Sequence, residues 1–148
     1  MTRTRSNLLL LVAAAWLSAG LGLAAQGDKI TARLAWVPTT GADRPNVTGK
    51  GSATGTLSGT TLTITGSFEG LAAPATIVRL HRGIAKGARG PAITDLTVTK
   101  AASGTISGTA KLSAEDAENF RQGKLYLQLH SEKGVAPDGS NLWGWFLR

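Results

Sequence analysis

The chain has 148 residues, 19 of them glycine and none cysteine, with 16 basic against 9 acidic side chains and a formal charge of +7. Without cysteine there is no disulfide framework and no thiolate nucleophile or ligand, so stability has to come from a packed core. The cations are scattered except between Arg79 and Arg89, which fits a solubilising surface and no nucleic-acid stripe.

Met1-Thr2-Arg3-Thr4-Arg5 is a short cationic start, followed by an apolar run from Leu8 to Leu17 and small residues through Ala24-Ala25. This pattern predicts a secretory signal peptide over 1–25, cleaved near Ala24 or Ala25, and therefore a secreted or periplasmic protein. The apolar run is about half of the roughly twenty residues that a spanning helix needs, so no membrane span is expected after cleavage. The remainder, 26–148, has the size of one domain. Removing Arg3 and Arg5 lowers the charge by two.

Beyond the leader, apolar residues recur at every second position: Ile30, Ala32, Leu34 and Trp36, then Leu62 and Ile64, Val78 and Leu80, and Leu125, Leu127 and Leu129. Period two predicts half-buried strands. Eight are expected, over 29–37, 50–57, 60–68, 75–82, 92–99, 104–112, 124–131 and 141–147, with Gly59-Thr60 turning a hairpin. Segments 51–59 and 103–110 look alike through Gly, Ser and Thr alone, which points to small residues on exposed or edge strands rather than to a duplication. One helix is predicted over 113–123, with Ser113 as its N-cap, acids in its first turn, Gly123 at its end, and Ala117 and Phe120 as its buried pair.

These elements predict an all-β fold, a Greek-key β-sandwich or flattened barrel of about eight antiparallel strands with one short helix. Trp143, Trp145 and Phe146 are expected to help fill the core from the last strand, although alternation puts Trp143 and Trp145 on one face and Phe146 on the other. An Asn46-Val47-Thr48 sequon is also present.

Three segments carry a family resemblance: Ile77-Val78-Arg79-Leu80-His81-Arg82-Gly83 with Gly87, Gly90 and Pro91 after it, Gly123-Lys124-Leu125-Tyr126-Leu127-Gln128-Leu129-His130-Ser131, and Pro137-Asp138-Gly139 before Leu142-Trp143-Gly144. In order and spacing they resemble the CHRD domain, the chordin-type module, from about Leu34 to Leu147. The chain departs from the family pattern at Arg79, where a first histidine is usual, at Gln128 for asparagine, and at Trp143 for arginine. The resemblance implies an extracytoplasmic β-sandwich with no established catalytic activity and no agreed cofactor, associated in animals with binding of signalling proteins.

Alternation puts Arg79 and His81 on one face of their strand and Tyr126, Gln128 and His130 on one face of theirs, so the chain's only two histidines could meet if these strands are neighbours. Three uses stay open for them: hydrogen bonds between strands, an anion or protein contact, or a metal site. Copper or zinc needs three or four ligands, and a cation, Arg79, stands where a third imidazole would help. No hydrolase elbow, metal-binding helix motif or facing carboxylate pair is present. The expected protein is thus a non-enzymatic, monomeric or weakly associating module without cofactor, contacting an unknown protein or anionic ligand through Arg79, His81, Arg82, Lys86, Arg89, Gln128 and His130. The alternative is a copper or zinc redox protein with a fold similar to copper/zinc superoxide dismutase, with His81 and His130 among its ligands.

Overall fold

The structure is a computed structural model that describes residues 26–148; the leader predicted over 1–25 lies outside the described residues. Eight strands, β1 (Asp28–Trp36), β2 (Lys50–Ser58), β3 (Thr61–Glu69), β4 (Ala75–Arg82), β5 (Ala92–Val98), β6 (Gly104–Lys111), β7 (Leu125–Val135) and β8 (Ser140–Leu147), close into an antiparallel barrel. Their order around it is β1-β2-β3-β6-β5-β4-β7-β8, so the chain steps from β3 past two strands to β4 and returns through β5 to β6 beside β3, a Greek-key path. β5 and β6 pair only at Thr97↔Ser107 and Val98↔Ile106, which leaves a weak seam.

Alternation sorts the side chains. Ile30, Ala32, Leu34, Leu62, Ile64, Val78, Leu80, Leu125, Leu127, Leu129, Leu142 and Phe146 fill the interior, while Thr31, Thr56, Thr63, Thr65, Ser107 and Thr109 stand outside. This is the reverse of a membrane barrel, whose apolar band faces outward. No helix among the described residues is long and apolar enough to cross a membrane.

The similar segments 51–59 and 103–110 flank β3 on its two sides, so neither is an edge strand. Gly55 and Gly108 both lie opposite Ile64. A Cβ on Gly55 would sit 2.9 Å from the Phe120 ring, and one on Gly108 would sit 2.6 Å from Leu96. These glycines are inward positions kept empty so that larger neighbours fit.

The predicted helix is α1 (Ala114–Arg121), linking β6 to β7. Ser113 caps it, accepting from the Asp116 amide at 3.0 Å, and Gly123 ends it at φ +75°. Ala117 and Phe120 are buried as expected, with Phe120 against Phe146 at 5.2 Å between centroids. Trp143 and Trp145 correct the expectation that they fill the core: Leu142 and Phe146 take the inward positions of β8, and the two indoles lie half-buried on the outer face.

Candidate functional site

β4 and β7 are neighbours, with Arg79 opposite Gln128, His81 opposite Tyr126 and Ile77 opposite His130. β8 continues the rows, placing Trp145 beside Tyr126 and Trp143 beside Gln128. Outward side chains at matched positions touch across strands, so His81, Tyr126 and Trp145 form a stack. The His81 and Tyr126 centroids are 4.8 Å apart with planes at 20°, and Tyr126 and Trp145 are 4.4 Å apart at 29°. Trp143 meets both Tyr126 and Trp145 edge-on.

Tyr126 is buried although it faces outward, because the loop 83–91 folds over it. The Gly90 amide and carbonyl each lie 3.3 Å from the Tyr126 hydroxyl, and Gly83 has no room for a Cβ against the Trp145 ring. His81 Nδ1 is 3.0 Å from the same Gly90 carbonyl. A carbonyl accepts only, so Nδ1 carries the proton and Nε2 keeps a bare lone pair, buried without a partner among the described residues. Burial holds the His81 pKa below the ordinary imidazole value, with the Gly90 bond pulling the other way and His130, Arg79 and Arg89 adding to the depression.

His130 does different work. Its Nδ1 donates to the Asp138 carbonyl at 3.0 Å, and its Nε2 faces the Gln128 amide nitrogen at 3.4 Å. Gln128 also donates to the Ser140 hydroxyl at 2.6 Å, and Ser140 donates to an Asp138 carboxylate oxygen at 2.6 Å. The four residues thus form a closed ring of hydrogen bonds that stitches the Pro137-Asp138-Gly139 turn to β7. Burial would raise the Asp138 pKa, but the bonds from the Ser140 hydroxyl and amide outweigh it and hold the carboxyl below its ordinary value. Gln128 and His130 are both buried, so they shape the face rather than present themselves on it.

The candidate cations separate in the same way. Arg79 donates to Asp95 of β5 at 2.9 Å. Arg82 makes a two-pronged bond to Asp116, tying the end of β4 to the first turn of α1. Arg89 lies over the Trp143 ring at 4.9 Å. Lys86 sits on a tight turn closed by the Ala88 amide to the Ala85 carbonyl at 3.0 Å, with Gly87 at φ +81°. Beside that turn Ile84 is 82% exposed, the most exposed of the large hydrophobic side chains in the described residues.

The register also bears on metal binding. His81 lies opposite Tyr126, four residues from His130 along β7, about 13 Å of extended strand. His130 already uses both ring nitrogens. Among the described residues no group of three or more His, Cys, Asp or Glu side chains is placed to hold a metal ion. Nothing in this arrangement favours the redox alternative.

The structure therefore brings His81 and Arg89 together with three aromatic residues outside the expected contact surface, Tyr126, Trp143 and Trp145. Their signal was present: they occupy the positions alternating with Leu125, Leu127, Leu142 and Phe146. Ile84 gave none, since an isolated apolar residue in a glycine-rich loop has no periodicity. What the arrangement offers chemically is contact: flat rings, a buried acceptor, two cations, Lys86 and Arg89, without an ion pair among the described residues, and an apolar tip.

No curated protein and no solved structure matches the chain significantly. The sequence profile of the CHRD domain matches residues 36–139, a span that contains β2 to β7 and the stitched turn, while almost all of β1 and all of β8 lie outside it. That span is more than half of the chain. The chain belongs to the CHRD domain family, a family of non-enzymatic binding or structural modules.

Proposed function

We propose that this protein is an exported binding module that engages a partner protein through the loop 83–91 and the aromatic rim beneath it. The observation that carries this reading is Ile84, standing 82% exposed on a loop whose base is fixed. The Arg82 amide bonds the Pro91 carbonyl at 2.9 Å, the Gly83 amide bonds the Lys124 carbonyl at 2.8 Å, and Gly90 is held by His81 and Tyr126. A pre-formed loop loses little entropy on binding, so an exposed apolar tip on it is an efficient contact. Among the described residues Lys86 and Arg89, which flank the tip, make no ion pair with a carboxylate, which favours an acidic rim on the partner. Arg89 over Trp143 has the chemistry of interface hot spots, which are rich in Trp, Tyr and Arg.

Export rests on the leader pattern of residues 1–25. Sequencing the amino terminus of protein recovered from the medium or periplasm tests it, and a start near Gln26 is the expected result. For the contact, a photo-crosslinking residue placed at position 84 should give a discrete adduct in the native exported fraction, whereas one at Thr63 on the outer face of β3 should not. Equal labelling from both positions would remove the loop from the account.

A further inference from the structure

A second surface lies at the other end of the barrel. β1 and β2 are paired from Asp28↔Leu57 to Leu34↔Gly51 and then separate, so that Ala35 and Trp36 pair only with β8. The gap opens into a groove of about 870 Å³ between β1, β2 and β3, which the buried Leu34 and Phe68 also line, within the range of small-molecule sites. Its wall is Trp36, 45% exposed and held in a fixed pose. The indole N–H donates to the Gly49 carbonyl at 2.8 Å, and the Arg44 guanidinium lies over the ring at 4.3 Å.

The groove also carries polar side chains. Ser52 and Ser67 pair across β2 and β3, both exposed, and Lys50 and Glu69 pair one step further on as an exposed ion pair at 3.3 Å. Arg33, opposite Ser52 on β1, makes no ion pair among the described residues. With Arg44 behind the indole there are three cations against one carboxylate, so the groove favours a negative ligand.

We propose that this groove is a binding site for an acidic saccharide, a glycan carrying uronic-acid carboxylates. A pyranose ring has an apolar C–H face suited to the flat indole, and its hydroxyls both donate and accept, as do Ser52, Ser67 and the Lys50–Glu69 pair. The ring carboxylate takes Arg33, whose fork of donors suits a planar carboxylate. A simple anion would use Arg33 but not the indole, and a neutral sugar would use the indole but leave Arg33 unused. The site is separate from the loop 83–91, so the two readings stand or fall independently.

The test is nitrogen-edited NMR of the purified protein titrated with tri-galacturonate, tri-mannuronate, cellotriose and inorganic phosphate. The expected result is a shift of the Trp36 indole resonance with at least one uronate, and roughly tenfold weaker binding of cellotriose. Arg33→Gln should remove that preference and Trp36→Ala should remove binding. Ser67→Asp changes an exposed position and puts a like charge in the groove; it should also abolish uronate binding while the rest of the spectrum stays in place. No Trp36 shift with either uronate, equal affinity for cellotriose, equal shifts with phosphate alone, or binding undiminished in Ser67→Asp would each overturn the assignment.

Discussion

The bond between Arg82 and Asp116 joins the strand that carries His81 to α1, and its two ends differ in a way that can be measured. The Asp116 side chain is 5% exposed, whereas the Arg82 side chain is 41% exposed. Replacing Arg82 by Met leaves a buried carboxylate supported by Asn119 at 3.5 Å, the Ser113 hydroxyl and its place in the first turn of α1. Removing one partner of a buried pair costs about 3–5 kcal/mol, and partial access of water here favours the lower end, about 3 kcal/mol. Replacing Asp116 by Asn frees Arg82 to turn into water, so the loss is that of charge-assisted hydrogen bonds, about 1.5–2 kcal/mol. The double variant should cost about 1–2 kcal/mol less than the sum of the two. In urea, a loss of 3 kcal/mol moves the midpoint by about 1.5 M at a slope of about 2 kcal/mol/M.

The pH dependence supplies a second check on the same pair. The Arg82 bond holds the Asp116 pKa below its ordinary value against the opposing effect of burial. A carboxylate with a depressed folded pKa contributes stability that is present above the ordinary value of 3.8 and lost as pH falls through the folded value. In Arg82→Met burial acts on Asp116 without the opposing Arg82 bond, the folded pKa rises, and the sign inverts, so the stability lost relative to wild type should shrink as pH falls from 7 to 5. If Asp116→Asn proves as costly as Arg82→Met, if the coupling falls below about 0.5 kcal/mol, or if the gap between Arg82→Met and wild type does not narrow on acidification, the reasoning fails.

Other expected outcomes rest on separate features. His81 has a folded pKa below the unfolded value of 6.5, so its share of stability is present above that value and lost as pH falls below it; thermal melts at pH 7.5 and pH 5 should show a larger drop for wild type than for His81→Gln. Gly55→Ala places a Cβ 2.9 Å from the buried Phe120 ring and should cost about 1–3 kcal/mol in urea denaturation. Phe120→Ala should cost about 3–5 kcal/mol by the same assay. Trp145→Ala removes the ring on which Gly83 rests and should speed amide hydrogen exchange of residues 83–90 while leaving β2 and β3 protected.

Strand positions were legible because alternation is a direct print of the barrel wall: the predicted 75–82 coincides with β4, and the other seven strands agree apart from their ends. The helix was equally legible from Ser113 and Gly123, whose roles depend on local backbone geometry alone. What periodicity could not supply was pairing. Knowing that His81 and His130 each face outward did not reveal that β4 and β7 meet with His81 against Tyr126, and it is that register which assigns His130 to the Asp138 turn. The same limit hid the partners of Arg79 and Arg82, since Asp95 lies 16 residues away and Asp116 lies 34 residues away. The tryptophans of β8 were misplaced for another reason: large rings favour burial, and only the covering loop shows that an outer face can also half-bury them.

The reading as a binding module depends most on the apolar, cationic loop over the aromatic stack. Its most direct test is quantitative co-purification from the native exported fraction using wild type and the variant Ile84→Asp/Lys86→Glu/Arg89→Glu, after both are shown to unfold at the same temperature. All three side chains point away from the core, so the fold should be unaffected. Loss of a stoichiometric partner in the variant is the predicted result. Retention of that partner at wild-type yield would contradict the assignment of this loop as the contact surface.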